Sequence, residues 1–317
     1  MKKPKSTKQD ILKLLKTNKI ISGEKIAKIL GISRTAVWKH IKNLKRKGYL
    51  IETTPKGYSL INNGDLLNEE ELAFLPYKVY YYKEVTTTMD IAKEIAEKGE
   101  EALVIAETQT KGKGRMGRFW YSPKSGIWMS LVIKPTFSLK EAYLLTYIAS
   151  LATALAIEKI AGIKVYLKWP NDIIYKENGE EKKLAGILLE VKGEIDKINY
   201  AIIGIGINVN NEISSFVPEA TSLKEIIKKE LKRKDIIEEL IKEFKILLEM
   251  DSVKILNLWK DKSLTLGRKV KIIHPEGEKI GFALDISDDG ALILKTENEK
   301  ILKIYSGDCI HLRNLTK

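Results

Sequence analysis

Apolar residues recur at helical spacing from the start of the chain. Ile11, Leu12, Leu14 and Leu15 form one such stripe over residues 8–17. Ser22 precedes a second, Glu24 to Leu30, which Gly31 ends. Ser33 can cap a third helix, whose inward stripe is Val37, Ile41 and Leu44. Helix, glycine-containing turn, helix is the order of a helix-turn-helix. Residues 48–61 then read as a hairpin turning near Pro55–Gly57, the position of a wing. Arg34, Thr35, Trp38 and Lys39 fall away from the inward stripe and are the candidates for major-groove contact. Trp38 suits packing against the hairpin equally well.

Asn62-Asn63-Gly64-Asp65 is a polar connector and marks the expected boundary. Beyond it the pattern changes. Tyr80–Val85 reads as a strand, Thr87–Asp90 opens a helix that Gly99 closes, and strands are expected near 102–107 and 127–134. Ser138 with Glu141 opens a long apolar helix ending at Gly162. Strands near 163–168, 184–191 and 197–207 and helices near 222–248 and 252–261 follow. Few stretches alternate strictly as βαβ, so the centre reads as an α+β domain. From Gly267 on, short strands are punctuated by Pro275-Glu-Gly277, Asp288-Asp-Gly290 and Ser306-Gly-Asp308, the spacing of a small barrel. The expected division is therefore 1–64, 65–265 and 266–317. No apolar run is expected to reach the roughly 18–20 residues of a membrane span, and the basic N-terminus lacks the apolar core of a secretory signal.

Charge sharpens the reading of the first module. Of a net +13, residues 1–62 hold 14 lysines and 2 arginines against Asp10, Glu24 and Glu52, while the remainder carries 39 basic and 39 acidic residues. So local an excess favours a phosphate backbone as partner over a generally solubilising surface. The single cysteine, Cys309, rules out an intramolecular disulfide, argues against a thiolate metal site and suits a reducing, cytoplasmic setting. His40, His274 and His311 are too scattered to suggest a metal cluster.

The chemistry concentrates in two segments. Residues 111–120, Lys-Gly-Lys-Gly-Arg-Met-Gly-Arg-Phe-Trp, alternate glycines, whose backbone can approach an anion, with Lys111, Lys113, Arg115 and Arg118. Residues 168–172, Lys-Trp-Pro-Asn-Asp, set a lysine before a rigid corner and two polar ligands. Gly112, Gly114 and Gly117 also match a dinucleotide fingerprint after a strand-like run. That fingerprint needs a helix immediately afterwards and an acidic residue about 20 positions on, whereas Pro123 and Gly126 break any helix here.

With those segments in order, the chain resembles the biotin–protein ligases, specifically the bifunctional kind that also represses biotin synthesis. Thr87-Thr88-Met89-Asp90, Glu107-Thr-Gln109, Lys183–Glu190 and Gly204-Ile-Gly-Ile-Asn-Val209 carry the resemblance further, and it covers nearly the whole length. It implies a winged helix-turn-helix, a central α+β domain of the class II aminoacyl-tRNA synthetase/biotin synthetase kind, and a C-terminal SH3-like barrel. It implies two steps: biotin and ATP give biotinyl-5′-AMP and pyrophosphate, then a lysine of a biotin carboxyl carrier protein takes the biotinyl group. Lys168 and Arg115 would be catalytic, Lys168 bridging carboxylate and α-phosphate. Thr87, Thr88, Met89, Gln109, Lys113 and Gly114 would hold biotin together with Arg115 and Lys168. Arg118, Asn171, Asn208 and Phe216 would hold ATP, with Val217 an alternative to Phe216. Asn208 and Asp172 would be the ligands of Mg²⁺. The partners implied are the carrier protein, operator DNA and a second copy of the chain when adenylate is bound, with no membrane.

Three positions depart from the family pattern. Lys113 stands where arginine is commoner, Thr87 replaces serine, and Met89 replaces asparagine. None removes the chemistry. Two other readings compete, a ligand-sensing transcription factor without chemistry and a ligase for another acyl group such as lipoate. Intact Lys168 and Arg115 weigh against the first, and Lys-Trp-Pro-Asn-Asp with Gly-x-Gly-Arg against the second.

Overall fold

The computed structural model describes residues 7–62, 64–194, 196–274 and 276–312. It forms two compact units, Met1–Phe74 and Leu75–Lys317.

In the first unit, α1 (Thr7–Thr17), α2 (Gly23–Leu30) and α3 (Arg34–Arg46) are followed by the antiparallel pair β1 (Leu50–Thr54) and β2 (Gly57–Asn62). The helix ends are set locally. The Ser22 hydroxyl accepts from the Lys25 N–H at 3.1 Å, the Ser33 hydroxyl accepts from the Ala36 N–H at 3.1 Å, and Gly31 ends α2 at φ 66°. Side-chain caps of this kind are each worth about 1 kcal/mol. Ile11, Ile26, Val37, Ile41 and Leu44 meet in one core, against which Tyr58 of the hairpin packs.

The unit does not stop at the polar connector. Leu66 packs on this core, and Leu67 and Leu72 are fully buried. The Tyr49 hydroxyl donates toward the Glu71 and Asn68 side chains at 3.0 and 3.2 Å. Lys16 pairs with Glu71 at 2.7 Å, and Lys47 with Glu70 at 2.7 Å and Glu69 at 2.9 Å. The boundary expected at 64 therefore moves to Phe74, because the segment after the connector supplies both apolar cover and countercharge.

The second unit is built on a seven-stranded sheet. Its elements in chain order are β3 (Lys78–Val85), α4 (Thr88–Glu97), β4 (Ala102–Gln109), β5 (Ile127–Ile133), α5 (Tyr143–Ala161), β6 (Tyr166–Lys168), β7 (Asp172–Glu177), β8 (Glu180–Glu194) and β9 (Lys197–Ile207). The strand order is β3-β4-β5-β9-β8-β7-β6, parallel only between β3 and β4, where α4 makes the crossover. Met89, Ala92, Ile95 and Ala96 of α4 pack on Ala102, Val104, Val132 and Ile202. Helices α6 (Leu223–Ile227), α7 (Arg233–Leu248) and α8 (Ser252–Asp261) follow; the single helix expected over 222–248 is broken where Lys228 takes the left-handed φ of 58°.

The expectation that no segment could span a membrane needs correcting. Leu139–Ala161, which contains α5, is 23 residues long and apolar enough by length and composition, and 67% of its most apolar stretch is buried within the fold. A helix apolar all round fits a core as well as a bilayer. Here α5 packs against α7, α8 and the sheet.

The chain ends in a separate antiparallel sheet of β10 (Lys269–His274), β11 (Gly277–Ile286), β12 (Leu292–Thr296), β13 (Ile301–Ile304) and β14 (Asp308–His311), ordered β13-β12-β11-β10-β14. Cys309 lies buried here without a disulfide, its thiol pushed up to about 12 by burial. A polar chain ties this sheet to the corner after β6. The Trp169 N–H donates to the Thr265 hydroxyl at 3.0 Å, that hydroxyl lies 3.0 Å from His311 Nε2, and His311 Nδ1 lies 2.8 Å from Glu181. Burial pushes the His311 pKa down, with Glu181 opposing it.

A fragment ending at Phe74 should fold cooperatively. One ending at Asn62 should lose about 3 kcal/mol or more, and about 10 °C or more in Tm, because Leu66, Leu67 and Leu72 no longer cover the core. Equal thermal unfolding of the two fragments, followed by circular dichroism, would refute the placement of the boundary.

Candidate active site and nucleic-acid interface

A cavity of about 300 Å³ lies over the central strands of the seven-stranded sheet. Three glycines make the room. A Cβ on Gly204 would meet Met89 Sδ at 2.7 Å, one on Gly206 would meet Trp120 Nε1 at 2.6 Å, and one on Gly186 would meet the Trp120 ring at 3.1 Å. The Trp120 indole thus lies across a stretch of sheet without side chains, and its N–H is buried with no acceptor among the described residues.

Part of the cavity lining is polar and uncharged. The Thr87 hydroxyl caps α4, accepting from the Met89 N–H at 3.3 Å, and also lines the cavity. Gln109 Oε1 accepts from the Thr88 N–H at 2.8 Å and the Thr88 hydroxyl at 3.1 Å, while Gln109 Nε2 donates to the Ser122 hydroxyl at 2.9 Å. Thr88 is further held against Ser130 at 2.8 Å. These side chains are fixed before any ligand arrives. Met89, Met129, Ile205 and Leu188 give the apolar walls.

Cations line the cavity as well, beside the carboxylate of Glu219. Lys113, Gly114, Arg115 and Arg118 line it from the glycine-cation loop. Met116 and Gly117 turn this loop with φ of 56° and 73°. Lys113 pairs with Asp90 of α4, Arg118 donates to Asp308 at 2.6 Å, and Arg115 donates to the Gly307 carbonyl at 3.4 Å. Burial pushes the Arg115 pKa down, opposed by Asp308 and Asp172.

The fourth cation is Lys183, not Lys168. Lys183 lines the cavity with its ammonium 5.0 Å from the Trp120 ring centroid and 2.6 Å from Asp172 Oδ1. Lys168 ends β6 outside the cavity lining, where its charge acts on Cys309 and His311. Strict alternation from Gly186 would turn Lys183 to the opposite face of the sheet. A bulge at Leu184 prevents this: Ile173 pairs with Ala185 and Ile174 with Lys183. The extra residue re-aims the lysine toward the cavity. Lys183 opens the Lys183–Glu190 segment, whose pattern alone does not show that its lysine faces the cavity.

Asn171 and Asn208 line the cavity as expected. Phe216 does not. It is 66% exposed and lies 5.5 Å from the Tyr121 ring, while Val217, Ile213 and Ala220 of the same segment reach the cavity. The residues expected to hold Mg²⁺ are already engaged. Asn208 Oδ1 accepts from Asn211 at 3.0 Å, and Asp172 faces the Lys183 ammonium. No group of three or more His, Cys, Asp or Glu side chains suited to a metal occurs among the described residues. The side chains present do not fit a protein-built magnesium site.

On the first unit, Arg34, Thr35, Trp38 and Lys39 share the exposed flank of α3. Trp38 is 52% exposed with the Lys42 ammonium 5.0 Å from its ring, so the alternative of packing beneath the hairpin does not hold. A half-exposed tryptophan on a basic helix is costly to leave in water and suits a base or sugar face.

Comparison with known proteins agrees with each part. Residues 7–59 match the HTH domain family, residues 81–208 the Biotin/lipoate A/B protein ligase family, and residues 265–312 the Biotin protein ligase C terminal domain family. The Bifunctional ligase/repressor BirA of Bacillus subtilis is 38% identical over 95% of this chain and 97% of its own length. This chain belongs to the bifunctional biotin ligase/repressors. The Escherichia coli Bifunctional ligase/repressor BirA is 30% identical over 97% of both chains. A biotin protein ligase from Aquifex aeolicus, solved in complex with biotin and ATP, superposes with a TM-score of 0.64 at 31% identity, covering 74% of this ligase/repressor and 99% of that chain.

Gly206→Ala should force the Trp120 indole off the sheet, costing about 1–3 kcal/mol and shifting tryptophan emission. Unchanged emission and an unchanged Tm would show that the indole does not depend on this glycine.

Proposed function

We propose that this protein is an ATP-dependent biotin–protein ligase that forms biotinyl-5′-AMP, transfers biotin to a lysine of a biotin carboxyl carrier protein, and also represses biotin synthesis as a DNA-binding protein with biotinyl-AMP as corepressor. The observation that carries the enzymatic half is one cavity lined both by preset uncharged polar side chains and by four cations. Biotin has a neutral ureido head and a carboxylate tail. Thr87, Thr88 and Gln109 suit the head, and the walls of Met89, Met129 and Leu188 suit the thioether ring and chain.

The tail then lies among Arg115, Lys183 and the backbone of Lys113–Gly114. In the first step a carboxylate oxygen attacks the α-phosphorus of ATP and pyrophosphate leaves. Two anions must approach each other, so cations fixed in advance lower the barrier. This reading gives Lys183 the bridging role first expected of Lys168, because Lys183 is the lysine that lines the cavity. Lys168 instead supports the Trp169–Asn171 corner. Asp172 orients Lys183. Arg118 and Asn208 serve the nucleotide, with Val217 in the packing role considered for Phe216. Magnesium, if it takes part, would be carried by the nucleotide rather than by these side chains, and would supply charge to the triphosphate.

The first unit supplies operator contact through Arg34, Thr35, Trp38 and Lys39, assisted by Lys42. Homodimerisation in the adenylate-bound form belongs to the same reading, since helix-turn-helix proteins bind paired half-sites. So does a cytoplasmic location, which suits a lone buried thiol. The finer fold names complete it: a class II synthetase-like core for the seven-stranded sheet, and an SH3-like barrel for the five antiparallel strands, which bend at the bulge between Ala283 and Asp285.

The test is exchange of labelled pyrophosphate into ATP with biotin, with lipoate, or with neither. Exchange is expected with biotin alone. Lys183→Ala should slow it by about 10²–10³-fold, the loss usual for one preorganised charge at a reacting centre, while Lys168→Ala should change it only a few-fold. Exchange with lipoate alone, or with neither acid, overturns the reading. Trp38→Ala should weaken binding to DNA from the biotin-gene promoter by about 1–3 kcal/mol without altering exchange. Unaltered fluorescence anisotropy with that DNA would remove Trp38 from the interface.

A further inference from the structure

A second cavity of about 250 Å³ abuts the first; Arg115, Asn171, Ile187 and Leu188 line both. Its remaining walls are of a different character. The rings of Tyr143 and Tyr147 on α5, Trp169 before the proline, and Tyr305 after β13 face into it. The hydroxyls of these tyrosines are already committed. Tyr143 donates to the Asp288 carbonyl, Tyr147 to the Gly290 carbonyl at 2.8 Å, and Tyr305 to Asp289 at 2.8 Å. The tyrosine hydroxyls are thus taken up, and the aromatic residues wall the cavity beside the polar Thr146 and Asn171.

Charge selects among possible occupants. The first cavity is lined by Lys113, Arg115, Arg118 and Lys183, whereas the second has Arg115 alone. A triphosphate or pyrophosphate belongs in the first. Near the second, Asp289 is held well below the usual carboxylate range by the Ser287 hydroxyl, Lys303 and Tyr305. That carboxylate is already paired with Lys303 at 2.9 Å, so the attraction for an alkylammonium comes from the rings, on which its stem packs while its charge meets their faces. At the inner end Arg115 does the reverse: a guanidinium disfavours a neighbouring ammonium and so favours the neutral amine.

We propose that this second cavity is the slot through which the lysine side chain of the protein acceptor reaches the adenylate, with Tyr143, Tyr147, Trp169 and Tyr305 as its walls. The assignment rests on the ligase reading above and adds the acceptor's route to it. The neutral Nε lone pair attacks the acyl carbon of the mixed anhydride. The C–N bond forms, the C–O bond to phosphate breaks, AMP leaves with that electron pair, and the amine proton passes to solvent. Arg115, lining both cavities, meets the anhydride on one side and the nucleophile on the other.

Thr146→Phe fills the slot from α5, and Tyr305→Ala removes a wall that is already 64% exposed. In Thr146→Phe the biotin-dependent pyrophosphate exchange should stay within about twofold of the unsubstituted protein, and transfer to a carrier domain should fall at least about tenfold, as expected when a nucleophile loses its alignment. Hydroxylamine, a nucleophile too small to need the slot, should discharge the adenylate at the unsubstituted rate. Tyr305→Ala should raise KM for the carrier without changing exchange. Carrier transfer unchanged in both variants overturns the assignment, as does hydroxylamine discharge falling in step with carrier transfer. A raised KM for pyrophosphate in the variants would overturn it in favour of the leaving group. Exchange absent from the unsubstituted protein would instead remove the ligase reading itself.

Discussion

Everything at the active site depends on a bare patch of sheet. On β8 and β9, Gly186, Gly204 and Gly206 present no side chain where neighbouring positions carry leucine or isoleucine. The space so released is partly taken by two other residues, Met89 from the helix α4 and Trp120 from the far end of the glycine-cation loop. The contact is economical in a physical sense. A flat ring on glycine backbone keeps its dispersion contacts while leaving an apolar wall for a ligand. Gly186 and Gly206 tie the loop to the sheet through Trp120, while Gly204 receives Met89 of α4.

The N-terminal helices were legible because their signals are local. Ser22, Gly31 and Ser33 each act within four residues, and the burial of Val37, Ile41 and Leu44 follows directly from period. Thr87, Thr88, Met89 and Gln109, which line the cavity, were singled out by the family resemblance; the local pattern itself marks only Thr87, as a cap. What escaped depends on pairing between strands. Lys183 reaches the cavity only through a bulge at Leu184, and a bulge is a property of two strands together. Strand β7 was missed because six residues with a charged end carry little pattern. The reach of the first unit to Phe74 was hidden for a similar reason: Glu69, Glu70 and Glu71 read as a solvated run until their lysine partners are known.

That acidic run also changes the account of charge. Counting only to residue 62 places the entire +13 on the DNA-binding module. The structure adds Asp65 and three glutamates to the same unit, and two of its lysines, Lys16 and Lys47, spend their charge on them. The lysines so used are not those of the exposed flank of α3. Positive potential is thus withdrawn from one side of the unit and kept where Arg34 and Lys39 stand, which gives the field a direction as well as a magnitude.

Arg115, and the more exposed Arg118, both have partners before any ligand arrives. They lean on the C-terminal sheet through the Asp308 carboxylate and the Gly307 carbonyl. An aspartate bound to an arginine in an anion site is a resident competitor. On the ligase reading, a phosphate taking Arg118 would displace Asp308, and part of the attraction would be returned as the broken pair. The C-terminal sheet, remote in sequence from the loop, would on that reading bear on how the loop receives a nucleotide, by as much as one exposed ion pair can contribute.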